Sequence, residues 1–143
     1  MNAILIAIGG GGLISGLATA IRARRPSVRV IGVEPTGSPT LKASLDAGRC
    51  IALHSVTTKV ATMACRQTDE RIFEIVSHTI DDIILVTDEE MEAASRWLWF
   101  EMAVAADLSG AASLAALRRG VPGLVTAAHI CALICGAGPE GTV

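Results

Sequence analysis

The sequence contains no tyrosine, and its 143 residues include only two phenylalanines and two tryptophans. Proteins that bind single-stranded nucleic acid stack bases on aromatic side chains and follow the phosphates with basic residues. The formal net charge of this chain is -2, so the basic component is missing as well. The composition therefore predicts no nucleic-acid partner.

Charged residues are also scarce. They make up 18% of the chain, whereas 51% of the residues are hydrophobic and the mean hydropathy is +0.52. These values are high for a soluble monomer, so we expect part of the apolar surface to contact a partner or a second copy. The uncharged stretch 3–21 is long enough for a membrane span, but its glycines and the absence of Lys or Arg before it argue against a membrane helix or a signal peptide.

The chain has no metal-binding pattern of cysteine or histidine. Its cysteines form no C-x-x-C pair, and its three histidines have no metal-ligand spacing; the cysteines are Cys50, Cys65, Cys131 and Cys135. We therefore expect reduced thiols, no metal site and a cytoplasmic location.

Four consecutive glycines, Gly9 to Gly12, separate a buried-strand pattern from a helical pattern. The apolar run 3–8 is typical of a parallel strand, and the spacing of Leu13, Leu17 and Ile21 is typical of a helix. A glycine run can turn several backbone N–H groups toward one point, and the start of the helix adds its own unpaired donors and positive dipole end. The sequence thus predicts a phosphate held by backbone groups.

Two common phosphate motifs do not fit this loop. No register of the glycines satisfies the dinucleotide pattern G-x-G-x-x-G, and the nucleotide pattern G-x-x-x-x-G-K-[ST] has Leu17 and Ala18 where it needs lysine and a hydroxyl. Glu34 does end the second predicted strand, where a dinucleotide fold places its ribose-binding carboxylate. A noncatalytic phosphate- or nucleotide-binding α/β module therefore stays open as an alternative.

Strand and helix patterns alternate along the chain, which predicts a single α/β domain over 1–143. We expect an open, mostly parallel sheet with helices on both faces, in three layers. Strands are predicted at 28–34, 72–76, 83–86 and 130–135, and helices at 39–47, 58–66 and 88–120, the last one broken near 107–110. Ser38 is the predicted cap of the second helix, and Thr87 with Glu90 forms a predicted capping box for the long helix. The apolar face of the long helix would contain Met91, Ala94, Leu98, Met102 and Ala105.

Five blocks, in order, resemble the C-terminal half of the fold-type II pyridoxal-phosphate enzymes, above all threonine and serine dehydratases and serine racemases. They are IGGGGLISG at 8–16, VIGVEP at 30–35, DDIILVT at 81–87, SGAA at 109–112 and Cys135-Gly136. The resemblance implies part of the large domain of the tryptophan synthase beta-like fold. It also implies pyridoxal phosphate as cofactor and a small amino acid as substrate.

The resemblance implies a role for six residues. Gly9, Gly10, Gly11 and Gly12, with Leu13 at the start of the helix, would bind the cofactor phosphate, and Cys135 would face the pyridine nitrogen. In much of the family the last position is serine. A cysteine or a serine suits a pyridine nitrogen that stays largely unprotonated.

The family's Schiff-base lysine motif and its substrate-gripping S-x-G-N-H-like loop are both absent. The two lysines, Lys42 and Lys59, lie in other contexts, so no catalytic residue is expected here. At the T-x-A-D-G motif the chain has residues 58–62, with Ala61 at the acidic position, which again predicts no metal. We therefore expect an inactive chain that forms a homodimer or pairs with a polypeptide carrying the missing half.

Overall fold

A four-stranded parallel sheet forms the centre of the protein. The computed structural model describes residues 1–123 and 129–139. The strands are β1 (Ala3–Ala7), β2 (Arg29–Pro35), β3 (Asp82–Val86) and β4 (Ile130–Ala132), in the spatial order β3-β2-β1-β4. All three pairings are parallel, with Ile4 opposite both Val30 and Cys131. The predicted α/β class is confirmed.

Helices cover both faces of this sheet, as predicted. They are α1 (Gly12–Arg24), α2 (Thr40–Ala47), α3 (Glu70–Thr79), α4 (Asp88–Met102) and α5 (Leu108–Arg119). Alternate residues of β1 point to opposite faces of the sheet. Leu5 packs in the core beneath α4 and α5, whereas Ile4 and Ile6 pack in the core beneath α1, α2 and α3. None of the helices in the described ranges is long and apolar enough to cross a bilayer.

The segment predicted as a strand at 72–76 is instead part of the helix α3. The Asp69 carboxylate caps this helix by accepting a hydrogen bond from the Arg71 N–H group. Ile72 and Val76 are one helical turn apart, and both face the core beneath α1. The β-branched residues suggested a strand, but the helical spacing and the aspartate cap decide the structure.

Residues 58–66 do not form the predicted helix. A short turn occupies 61–63, and the rest of the segment is irregular. Two hydroxyls fix its far end, because the Ser38 and Thr40 side chains both donate to the Cys65 carbonyl oxygen. Ser38 is therefore not the cap of α2, which begins at Thr40 and ends before Gly48 as predicted.

The long helical region agrees with the prediction at its start and differs at its end. The capping box of Thr87 and Glu90 is confirmed. Met91, Ala94 and Leu98 are buried, but Met102 is 58% exposed, because α4 ends there and residues 103–107 leave the helix before α5 begins. Ala105 is likewise exposed. The last strand is also shorter than predicted: β4 ends at Ala132, although the Leu133 N–H group still bonds to the Leu5 carbonyl oxygen.

Candidate functional site

The glycine run forms the connection between the carboxyl end of β1 and the first turn of α1. Gly11 is buried with φ at +90°, and a Cβ atom there would lie 2.6 Å from Ile72 Cγ2 and 3.0 Å from Leu41 Cδ1. At Gly9 a Cβ atom would overlap the carbonyl oxygen of Thr62. Both positions therefore require glycine, one for its backbone angle and both for the close approach.

Among the five described helices, only α1 has no side chain at its N-terminus to accept hydrogen bonds. Asp69, Thr87 and Asp107 cap α3, α4 and α5 from their own N-cap positions. Glu34, at the end of β2, caps α2 by accepting bonds from the Leu41 and Lys42 N–H groups at 2.8 and 2.9 Å. The N-cap of α1 is Gly11. Its first-turn N–H groups have no acceptor within the helix, and with the positive dipole end they favour an anion.

A cleft of about 200 Å³ lies against this end of α1. It is lined by all six residues for which the resemblance implies a role in cofactor binding, namely Gly9, Gly10, Gly11, Gly12, Leu13 and Cys135. Ala7, Thr62, Met63 and Ser109 complete the lining. A Cβ atom built on Gly10 or on Gly12 has no heavy atom within 4 Å, so the loop has open space on this side.

The Cys135 thiol lies at the wall of the cleft that α5 provides. Its sulfur donates to the Ser109 carbonyl oxygen at 3.8 Å. Burial raises the pKa of this thiol, and the Asp107 carboxylate raises it further. Cys135 is therefore a neutral thiol near pH 7, able to donate a weak hydrogen bond and to accept one.

Asp107 fixes the start of α5 beside this thiol. Its Oδ1 atom accepts bonds from the Gly110 N–H group at 2.5 Å and from the Ser109 hydroxyl at 2.7 Å. Gly136 packs directly against the same carboxylate, so no side chain fits at that position. The turn after β4 and the first turn of α5 thus form one wall.

The sequence comparison decides the family. The family model described as "Pyridoxal-phosphate dependent enzyme" matches residues 1–136, nearly the whole chain. The chain belongs to this family.

Named relatives within this pyridoxal-phosphate dependent family include dehydratases and ammonia-lyases. The chain is 29% identical to the phenylserine dehydratase of Ralstonia pickettii over 95% of its own length and 42% of that protein. It is 38% identical to the L-threonine ammonia-lyase of Geobacter sulfurreducens over 80% of its own length and 28% of that protein. The chain spans less than half the length of either relative.

Solved structures of the family have the same fold. The threonine deaminase from T.th. superposes with a TM-score of 0.88 at 34% identity, over 95% of this chain and 49% of that one. Maize serine racemase gives a TM-score of 0.88 at 29% identity, over 96% of this chain and 44% of that one. The central sheet and its helices therefore correspond to part of these tryptophan synthase beta-like enzymes.

The residues of this cleft fit the phosphate and the ring of the family's cofactor. The phosphate would meet backbone donors at an uncapped helix start, with open space above Gly10 and Gly12. The same cleft, about 200 Å³, contains both the glycine loop and Cys135. A neutral Cys135 thiol on its wall matches a pyridine nitrogen without a full positive charge.

Both lysines form ion pairs in this fold. Lys42 pairs with Asp46 across one turn of α2. Lys59 pairs with Glu92, which raises the pKa of the Lys59 ammonium. A nucleophilic lysine needs the opposite, a lowered pKa. The absence of a catalytic lysine stays a prediction.

Glu34 has a structural task in this fold, so it no longer supports a dinucleotide site. Its side chain is fully buried, and both carboxylate oxygens accept backbone bonds from α2. Within residues 1–123 and 129–139, no group of three or more His, Cys, Asp or Glu side chains is placed to hold a metal ion. The absence of a metal stays a prediction.

Several residues of the cleft were not identified from the sequence. Thr62 and Met63 lie in the segment that was predicted to be a helix, and nothing in the sequence marked them as cleft residues. The Thr68 hydroxyl supports the loop from outside the cleft lining by donating to the Gly10 carbonyl oxygen at 3.1 Å. Ser109 carried a signal, since it belongs to the SGAA block. Its position beside Cys135 depends on the packing of α5 against β1 and β4.

Proposed function

We propose that this chain supplies the phosphate-binding and pyridine-facing part of a threonine/serine dehydratase-like site that uses pyridoxal phosphate. The N–H groups of the 9–13 segment would hold the phosphate, and the Cys135 thiol would face the pyridine nitrogen. Bound pyridoxal phosphate supplies an electron sink for carbanion chemistry at an amino acid. The observation that carries the proposal is that the one described helix start without a cap opens onto the same cleft as Cys135.

Amino acids with a β-hydroxyl group are the proposed substrates of the complete site. The relatives carry the names phenylserine dehydratase and threonine ammonia-lyase, and the structural neighbours include a serine racemase. Side chains that grip the substrate and a lysine that binds the cofactor covalently would come from another polypeptide segment. This chain would contribute the cofactor's orientation.

Ligand binding to the purified chain tests the proposal. Pyridoxine phosphate has an alcohol in place of the reactive aldehyde, so calorimetry with it reports the cleft without covalent reaction. We expect weak but saturable binding, and weaker binding of inorganic phosphate, because phosphate contacts only the loop. Binding of neither ligand would contradict the proposal. Equal binding of both would favour the alternative, a phosphate-binding module with no place for the ring.

We predict that the chain alone has no dehydratase or racemase turnover. Proton removal from a substrate needs a positioned base near the cofactor, and both lysines are engaged in ion pairs. Release of keto acid from L-threonine and L-serine, measured with added pyridoxal phosphate, should not exceed that of the free cofactor. Turnover that Lys59→Met removes, and Lys42→Met does not, would show that Lys59 acts in catalysis.

The exposed end of α4 is the proposed contact surface for a second copy or for the complementing polypeptide. Trp99, Phe100 and Met102 are 42%, 69% and 58% exposed and lie within four consecutive residues. Trp97, by contrast, is partly buried beneath the Arg118 guanidinium, 5.3 Å above its ring. Apolar side chains clustered in this way favour burial against a partner.

Sedimentation at micromolar concentration should show a dimer of the isolated chain. Phe100→Glu should shift it toward monomer, because a carboxylate cannot be buried in an apolar contact without a large cost. Ile75→Glu is the matched control, since Ile75 is also exposed but lies on α3, on the other side of the sheet. A monomeric wild-type chain, or equal effects of the two variants, would contradict this surface assignment.

A further inference from the structure

Asp88 ties the irregular segment before α3 to the start of α4. Its Oδ1 atom accepts a hydrogen bond from the Thr58 hydroxyl at 2.6 Å, and its Oδ2 atom accepts one from the Lys59 N–H group at 2.8 Å. Asp88 is half-buried and is the first residue of α4, where the positive end of the helix favours a carboxylate. Two bonds from one carboxylate fix both the distance and the orientation of the segment.

The turn after Thr58 and Lys59 links these two residues to the lining of the cleft. The Val60 N–H group bonds to the Thr58 hydroxyl at 3.2 Å, and the Met63 N–H group bonds to the Val60 carbonyl oxygen at 2.9 Å. Val60 and Met63 are buried in the core beneath α4 and α5. Thr62 and Met63 line the same cleft as the glycine loop, and the Thr62 carbonyl oxygen lies directly against Gly9.

The same turn separates this cleft from a larger one. The larger cleft, about 460 Å³, is bounded by 59–62 on one side and by Glu92 and 107–109 on the other. The two clefts share Thr62 and Ser109. A displacement of the turn would therefore merge them and remove the wall against which a ring could pack.

We infer that Asp88 is a positioning residue for the cofactor cleft, acting through the 58–63 turn rather than by contact with a ligand. The inference rests on the proposed function. The inference predicts different effects on two kinds of ligand. A ligand that fills the cleft needs the wall formed by Thr62 and Met63, whereas an anion at the loop needs only the backbone donors of α1.

Calorimetry with two ligands on the purified chain tests this role. We expect Asp88→Ala to weaken pyridoxine phosphate binding by about tenfold or more, as the loss of charge-assisted bonds to one segment implies. Affinity for inorganic phosphate should change by less than about twofold. Asp88→Asn keeps one acceptor oxygen and should lose less. Glu89→Ala is the matched control, because it removes a carboxylate from the same first turn, while the Thr58 hydroxyl and the Lys59 N–H group keep their bonds to Asp88.

Hydrogen exchange provides a readout without any ligand. Asp88→Ala should speed exchange of the Met63 amide, whereas Glu89→Ala should not. If Asp88→Ala does not fold, Thr58→Val should show the same effects, because it removes the Asp88 bond and also the Val60 bond to the same hydroxyl. Unchanged exchange and affinity in a folded variant would overturn the inference, as would equal losses for both ligands. If the wild-type chain binds neither ligand, the proposed function fails, and the exchange result alone decides whether Asp88 positions the turn.

Discussion

Gly11→Val should abolish anion binding to the loop and lower the free energy of unfolding by about 2–5 kcal/mol. The left-handed angle at Gly11 is strained for any β-branched residue, and its Cβ atom would meet Ile72 and Leu41. The loop then has to move away from α2 and α3, which separates the donors that converge on the cleft. Calorimetry with pyridoxine phosphate and with phosphate, together with urea unfolding, measures both effects.

Gly11→Val is expected to remove anion binding by displacing the loop, not by placing a side chain in the way of the ligand. The Cβ atom of Gly11 points into the core rather than into the cleft, so loss of binding should accompany loss of stability. Gly16→Ala is the control in the same helix, since a Cβ atom there meets nothing within 4 Å. It should stabilise the chain by about 0.5–1 kcal/mol and leave binding unchanged. A stable Gly11→Val protein with normal phosphate affinity would contradict the assignment of the loop.

The stability of the wild-type chain should decrease as the pH rises from about 5 to about 7, because of Glu34. Burial raises the pKa of this carboxyl from 4.5 to about 7, and the backbone bonds from Leu41 and Lys42 offset only part of the shift. The folded state thus holds the proton more tightly than the unfolded state. Its contribution to stability is largest below about pH 4.5 and is lost as the pH rises to about 7, a change of about 3 kcal/mol.

Glu34→Gln should remove this pH dependence, because an amide does not titrate. The variant should also be less stable than wild type at low pH by about 1–3 kcal/mol, since one amide oxygen cannot accept both α2 bonds as well as the carboxyl does. Urea unfolding at several pH values gives the comparison. Glu74→Gln is the control for the same chemical change at an exposed site on α3 and should keep the wild-type slope. A slope of the opposite sign, or one shared by both variants, would contradict the role of Glu34.

The sequence by itself determined the features that depend on neighbouring residues. Alternating strand and helix patterns gave the parallel sheet with two helical layers, and Thr87 with Glu90 gave the start of α4, because a capping box lies within four consecutive residues. The glycine run and the blocks around it identified the family and one wall of the cleft. These patterns involve residues that are close together in the sequence, so they can be recognised without knowledge of the packing.

Only the tertiary structure decided the features that depend on distant contacts. The core beneath α1 selected a helix for 70–79, where β-branched residues had suggested a strand. Glu34 became the cap of α2 rather than a ligand-binding group, because the turn after β2 brings its carboxylate to the start of that helix. Thr62, Met63 and Ser109 reached the cleft from two separate segments, and Asp88 fixed one of them. The hydrogen bond between Asp88 and Thr58 joins residues 30 positions apart, and no periodic pattern in the sequence predicts a contact over that distance.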